Sequence, residues 1–407
     1  MSAVLILEPR SSGAELVVRA CELGHRVTVL TSGTDPRGAS ADVLARADRV
    51  VRADTSDQEA VLDAVRALHR ETPFDAVLPG FEHYVPQAAR TAAALGLPGI
   101  APEGVESLRY KHRMRRAVEA AGLDQPAFRI VSSERAVSTA YARLGPSAVV
   151  KPVDQSGSLG VRKVASPREA SAAFRQALSC GGPSGPRGPR LVLLEEYVEG
   201  PEYSVEGYVE DGRVHILGIT EKVLGPEPYF VEVGHIVPAR LEPSPTREIE
   251  EYVTRVVHAV ALRMGPFHAE LRMSGRGPLL MEIAARLPGD RIPDLLRLAR
   301  GADLYEIMLR CYLGLSNPEP DTAGGDTRAG IRYFLRPGLS GYQEFRVDPL
   351  IEADPRIREI GVLLPPGSDL PDPGSSAGRL GYVLASGDSY VETAGVLRLA
   401  DLSVTFS

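Results

Sequence analysis

The chain has 407 residues, with 46 lysines and arginines against 53 aspartates and glutamates, a net charge of −7. At about 100–200 residues per domain this length predicts two to four domains, and the acidic balance excludes the basic stripe that a phosphate-backbone binder needs. Hydrophobic residues at 43% and charged residues at 24% exclude wholesale disorder, and no run approaches the ~18 apolar residues of a membrane span. Cys21, Cys180 and Cys311 are far apart and odd in number, which excludes a disulfide framework and fits a reducing compartment. Only the short apolar run Ala3–Leu7 precedes the first charge, too little for an export signal. The expectation is a soluble cytoplasmic enzyme with small-molecule partners, neither nucleic acid nor membrane.

Along residues 1–100 short apolar runs alternate with helical periodicity. Ala3–Leu7 reads as a strand, Gly13–Leu23 as a helix stopped by Gly24, Arg26–Leu30 as a strand, Ala76–Leu78 as another, and Pro86–Leu95 as a helix. This alternation predicts a parallel sheet covered by helices. The first strand-to-helix turn, Glu8-Pro-Arg-Ser-Ser-Gly13, lacks the G-x-G-x-x-G through which a dinucleotide pyrophosphate approaches the backbone. The layout is Rossmann-like, and a dehydrogenase reading falls away. A helix is expected from Pro102 to Ala121, strands at Ile130–Val131 and Ala148–Lys151, and a polar helical stretch between them. The Gly/Pro-rich residues 180–190 read as a surface loop. Leu191–Tyr197, Tyr203–Val209 and Val214–Lys222 read as neighbouring antiparallel strands, followed by an amphipathic helix at Glu248–Met264 and a hairpin turning at Gly277-Pro278. Beyond the Pro/Gly/Asp-rich joint Asn317–Asp326 the tail is β-rich, with strands at Ile331–Leu335, Gly361–Leu364 and Gly381–Leu384, a helix near Ser389–Leu399 and a last strand at Ser403–Phe406.

Three segments carry chemistry. In Ala148-Val-Val-Lys151-Pro-Val-Asp-Gln-Ser156-Gly157-Ser158 a β-run delivers a lysine into a small-residue loop, a pattern suited to phosphate; an ordinary hairpin with a solvated lysine is the plain alternative. In Glu195-Glu196-Tyr197-Val198-Glu199-Gly200-Pro-Glu202 carboxylates seven residues apart flank a Gly-Pro turn and could meet an adenine amino group and a ribose. Glu270 and Glu282 lie in apolar runs on either side of a Gly-Arg-Gly-Pro turn, so hairpin pairing would set them side by side. Buried side by side, two such carboxylates need a cation, and Mg2+ fits them; ordinary surface strand glutamates are the plain alternative. Arg286, four residues on, is placed to meet an anion.

In this order, with Lys111 as a first lysine, these segments resemble the ATP-grasp superfamily over residues 105–290. Within it the whole chain looks most like the L-amino-acid ligases. Gly80-Phe-Glu82, Glu221-Lys222, Tyr229-Phe-Val-Glu232-Val-Gly234-His235 and the tail Arg379-Leu-Gly381-Tyr382 carry that likeness. The resemblance implies a Rossmann-like domain over 1–103, a two-part grasp domain over 104–190 and 191–318, and a β-rich domain over 319–407, α/β and α+β in class. It implies ATP bound by Lys111, Lys151, Ser156, Gly157, Ser158, Glu195, Glu196, Tyr197, Val198 and Glu202, with Glu195 and the Tyr197-Val198 backbone reading adenine and Glu202 holding ribose. It implies Mg2+, as two ions with Mn2+ able to substitute, on Glu270 and Glu282. The Asn that many members carry two residues after the second glutamate is Ala284 here. Glu82, Glu232, His235 and Arg286 would bind amino acids, with Arg286, His235 and Lys222 catalytic. The implied activity is an ATP-dependent carboxylate–amine ligase working through an acyl phosphate, in a homodimer. Activation of bicarbonate or formate, and a non-catalytic nucleotide-binding module, are the competing expectations.

Overall fold

Strand β1 (Ala3–Leu7) is buried along its whole length, and its alternating side chains feed two cores. Val4 and Ile6 pack with Leu16, Val17 and Ala20 of the helix Ser12–Glu22. Ala3, Leu5 and Leu7 pack with Val61, Val65 and Leu68 of the helix Gln58–Glu71. A strand covered on both faces in this way belongs to a parallel sheet, and β1 pairs in parallel with β2 (Arg26–Thr31) and β4 (Ala76–Pro79). Strand β3 (Arg49–Arg52) completes the order β3-β2-β1-β4. The turns after β1 and β4 touch: a Cβ on Gly13 would stand 1.8 Å from the Gly80 carbonyl oxygen, so only glycine fits there.

The computed structural model describes residues 1–33, 38–180, 188–318, 326–371 and 373–407. The centres of the 180–190 loop and of the Asn317–Asp326 joint lie outside these residues. A second sheet, ordered β5-β8-β6-β7 and antiparallel, is built from β5 (Phe128–Val131), β6 (Ala148–Pro152), β7 (Arg162–Val164) and β8 (Val192–Glu196). The helix Pro167–Ser179 covers it, setting Ala170, Ala173, Phe174 and Ala177 against Val150, Val164 and Leu194.

The third sheet is antiparallel, with β9 (Glu202–Glu210), β10 (Arg213–Leu224), β11 (Glu232–Val237), β12 (Gly265–Ser274) and β13 (Gly277–Ala284) at its centre and one edge. The tail supplies β14 (Arg328–Phe334), β15 (Phe345–Val347), β16 (Ile357–Val362), β17 (Gly381–Gly387) and β18 (Val404–Phe406). The sheet order is β13-β12-β9-β10-β11-β14-β17-β16, while β15 and β18 form a separate ribbon. Ile249, Val253 and Val256 of the helix Pro243–Ala259 share one large core with Phe267, Leu271 and Leu280 of β12 and β13.

Three expectations change. The helix expected from Pro102 to Ala121 breaks at Arg109-Tyr110 into a single turn, Val105–Leu108, and a helix, Lys111–Ala120. Strand β8 does not neighbour β9; it pairs with β5 and β6, so the smaller grasp sheet extends past residue 190. Gly277-Pro278 lies inside β13, opposite Ser274 and Met273, and the turn is Gly275-Arg276. The tail is β-rich, yet β14, β17 and β16 continue the large sheet through the β11–β14 pairing. Among the described residues no helix is long and apolar enough to cross a membrane.

Replacing Gly13 with alanine forces the β1 and β4 turns apart and is expected to cost about 1–3 kcal/mol, as overpacking does. Urea unfolding checks this: a lowered midpoint is expected, and an unchanged one contradicts the close approach.

Candidate active site

The β12–β13 hairpin places Glu270 directly opposite Glu282, with a register irregularity just beyond Glu270. Each carboxylate meets a lysine from elsewhere. Lys111, the first residue of its helix, reaches Glu282 Oε1 at 2.8 Å and donates to the Gln155 carbonyl at 2.6 Å. Lys222 on β10 lies 3.0 Å from Glu270, 2.9 Å from Glu202 and 2.8 Å from Glu232. Burial pushes the Lys222 ammonium down, but the three carboxylates outweigh it and raise it well above its ordinary value. The Glu282 carboxyl is pushed up by burial, with Lys111 opposing and Glu82 and Glu270 adding to it. A carboxyl pushed up beside a second carboxylate is the environment a hard divalent cation relieves.

His268 bridges this cluster from two residues upstream. Its Nε2 is 3.0 Å from Glu270 and its Nδ1 is 2.8 Å from Glu206. Burial lowers the imidazole, but the hydrogen bonds to both glutamates outweigh it and raise His268 to about 9. Arg272 adds a further cation, donating to Glu202 at 2.9 Å and to the Val198 carbonyl at 2.7 Å.

The smaller sheet docks through Lys151 and Arg115. Lys151 on β6 is 2.6 Å from Glu195, and Arg115, fully buried one turn after Lys111, donates to the same carboxylate and to the Leu280 and Met281 carbonyls of β13. Burial raises Glu195, but Arg115 and Lys151 outweigh it and lower its pKa. Glu195 therefore has both oxygens engaged, contrary to the expectation that it reads a base. Glu196 is half-buried, accepts from Ala127 N–H and pairs with Arg276 at 2.8 Å. The Tyr197 ring lies under Lys163, 3.8 Å from its ammonium, and its hydroxyl donates to Glu227.

Lys111, Lys151, Ser156, Gly157, Ser158, Glu195, Glu196, Tyr197, Val198, Glu202 and Glu282 all border one cleft. The loop over it uses left-handed backbone at Gly157, Ser158 and Gly160, and the Ser158 hydroxyl donates to the Phe230 carbonyl at 2.7 Å. A second cavity of about 470 Å³ holds Lys222 and His235. The two cavities share Ser156, Gly157, Glu232, Glu270 and Arg286.

Glu82 borders neither cavity, contrary to its expected place beside a substrate ammonium. It is 1% exposed and accepts from Arg286 at 3.0 Å, with Arg109 at 3.6 Å. Burial raises its carboxyl, but Arg286, Lys111 and Arg109 outweigh it and hold it at about 2. His235 is buried with Nε2 3.0 Å from Asp290. Asp290 also accepts from Arg379 at 2.7 Å, and Arg379 reaches Glu232 at 3.2 Å. Arg115, His268, Asp290 and Arg379 were not singled out from sequence as site residues. His268, beside Glu270, and Arg379, at the head of the quoted tail segment, stood in segments that offered a signal.

Family models match the chain as an ATP-grasp N-terminal domain over residues 17–99 and an ATP-grasp domain over residues 145–294. The chain belongs to the ATP-grasp superfamily. This ATP-grasp protein superimposes on the L-amino acid ligase from Bacillus licheniformis with a TM-score of 0.86 and 25% identity, covering 100% of this chain and 98% of that one. It is 28% identical to the protein y4rH of Sinorhizobium fredii over 99% of this chain and 82% of that protein. It is 25% identical to the alanine–anticapsin ligase of Bacillus subtilis, a match spanning 62% of this chain and 57% of that protein. Its likeness is of the L-amino-acid ligase type.

Removing the Arg115 guanidinium (Arg115→Met) leaves the buried Glu195 carboxylate partnered by Lys151 alone. Breaking a buried pair typically costs about 3–5 kcal/mol, so urea unfolding should show a loss of that order. A loss below about 1 kcal/mol contradicts the pair as a structural clamp.

Proposed function

We propose that this protein is an ATP-dependent carboxylate–amine ligase that joins two amino acids, or an amino acid and another amine, releasing ADP and phosphate. The observation that carries this reading is the meeting of two cavities at Glu232, Glu270 and Arg286. A nucleotide in the first cleft and an amino acid in the second would present phosphate and carboxylate to each other there. The fold of the Bacillus licheniformis L-amino acid ligase supports the class, and the Bacillus subtilis relative, named for joining alanine to anticapsin, supports a dipeptide-type product.

ATP would lie with its base near Glu196 and the Tyr197-Val198 backbone and its ribose near Glu202. Its phosphates would lie between Lys111 and Lys151, beneath the Gln155–Gly160 loop. Glu270 and Glu282 fit Mg2+ or Mn2+, which when bound neutralises the charge of the phosphates. Ala284 offers no ligand, so a second ion would rely on the same glutamates, phosphate and water.

The first amino acid's carboxylate oxygen would bond to the γ-phosphorus as the β,γ-bridging bond breaks, giving an acyl phosphate and ADP. Arg286, aimed by Glu82, would hold the anion at that junction. The second amine would then attack the acyl carbon and phosphate would leave. Its proton must pass to a base, and His235, held by Asp290, is the group we assign to it. Lys222 and Glu232 would fix the carboxylate array around the first amino acid. A homodimer is the assembly this reading carries, and sedimentation at micromolar concentration tests it.

A pairwise amino-acid screen reading ATP-dependent phosphate release and product mass tests the activity, with bicarbonate and formate as separate arms. Phosphate release with bicarbonate or formate and none with amino-acid pairs overturns the reading. Glu282→Ala is expected to abolish ligation while the melting temperature holds; wild-type turnover at saturating magnesium removes Glu282 from the metal site. Arg286→Ala is expected to lower ligation by about 10²–10³-fold with most ATP affinity retained. A large loss of ATP binding alone contradicts its assignment.

A further inference from the structure

A third cavity, of about 720 Å³, shares no lining residue with the two described above. Its walls come from β10 (Leu217, Ile219), the helix Pro243–Ala259, the end of the helix Ile292–Arg300 and the start of β14. The wall is apolar and polar in about equal parts, and three charged groups on it have no ion-pair partner among the described residues. Among the described residues the buried Nε atoms of Arg300 and Arg328 have no hydrogen-bond partner and neither guanidinium meets a carboxylate. Arg328 donates, among the described residues, to the backbone carbonyls of Asp326 and Thr327. The two arginines repel: burial, and then the charge of Arg328, lower the pKa of Arg300. On the same cavity Glu250 is half-buried, makes no ion pair among the described residues, and has its carboxyl raised by burial. The neighbouring acids Asp303 and Glu306 are already engaged by Arg19.

Partly buried charges without partners are stabilised when an outside counter-charge meets them. Two neighbouring cations and one anion on a partly apolar wall are complementary to a molecule with a carboxylate, a short apolar body and an ammonium. We propose that this cavity is a separate binding site for a small zwitterion of the amino-acid or dipeptide class, its carboxylate on Arg300 and Arg328 and its ammonium toward Glu250. Such a site lies apart from the reacting groups and stands whether or not the ligase reading does.

Glycylglycine, free glycine and inorganic phosphate are the probes, titrated calorimetrically into the full chain and into Arg286→Ala, where the proposed active site is disabled. Saturable glycylglycine or glycine binding that persists in Arg286→Ala is expected. It should weaken about tenfold or more in the double variant R300Q/R328Q and return in R300K/R328K, which keeps both charges and controls for folding. E250Q should weaken zwitterion binding while leaving phosphate binding unchanged. The relative affinity of glycine and glycylglycine tells amino acid from dipeptide. No saturable zwitterion binding in Arg286→Ala, equal binding in R300Q/R328Q, or E250Q altering neither probe overturns the proposal.

Discussion

Glu202, Glu232 and Glu270 offer oxygens that lie within 4.8 Å of one another, and Lys222 stands among them. Taking such a set out of water costs several kcal/mol per ion unless each charge finds a counter-charge in good geometry. The surrounding sheet supplies these: Arg272 for Glu202, Arg379 for Glu232 and protonated His268 for Glu270. Arg272 and His268 come from β12, Lys222 from β10 and Arg379 from the tail, so the cluster forms only when the sheet is in register from β12 through β11 and the tail has docked. A one-residue slip in any strand would turn its charges to the other face and leave the rest uncompensated. The register of the large sheet and the composition of the site are thus one constraint.

The same logic fixes the smaller sheet. Arg115 and Lys151 share Glu195 and reach the carbonyls of β13, so the helix Lys111–Ala120 and β6 are tied to the strand that carries Glu282. Lys111 then arrives at Glu282. Charges that hold the two sheets together are neighbours of those that face the cleft, and the division between the two follows exposure. Glu195, at the cleft's edge, and Arg115 are almost wholly buried, while Glu270 and Glu282 are more open to the cleft. Glu82 and Arg286 repeat the pattern on the other side, where a sealed carboxylate aims a guanidinium that borders both cavities.

What the sequence could reveal follows from how local each feature is. The opposition of Glu270 and Glu282 was legible because a short turn between two apolar runs sets a hairpin register. Lys151 was legible because a strand and a small-residue loop flank it. The alternation in the first hundred residues was legible from periodicity, although β3 and the helix Gln58–Glu71 passed unread. Strand β8 was misassigned because Gly200-Pro201 resembles a hairpin turn, whereas the chain there crosses from one sheet to the other. Arg115 was hidden among the basic residues of its helix, and nothing local marks the one that points inward. Asp290 and Arg379 are 89 residues apart and meet only through the large sheet. Glu82 was read as a substrate contact because its partner Arg286 lies 204 residues away.

The central claim is that Glu270 and Glu282, set opposite each other, are the protein's ligands to a divalent ion held against the nucleotide. Electron paramagnetic resonance of Mn2+ with a non-hydrolysable ATP analogue tests it most directly. The account predicts that the native chain takes up Mn2+ beyond what the analogue binds alone, and that Glu270→Gln/Glu282→Gln loses this increment while still binding the analogue through its lysines. Undiminished Mn2+ uptake by the folded double variant would contradict it.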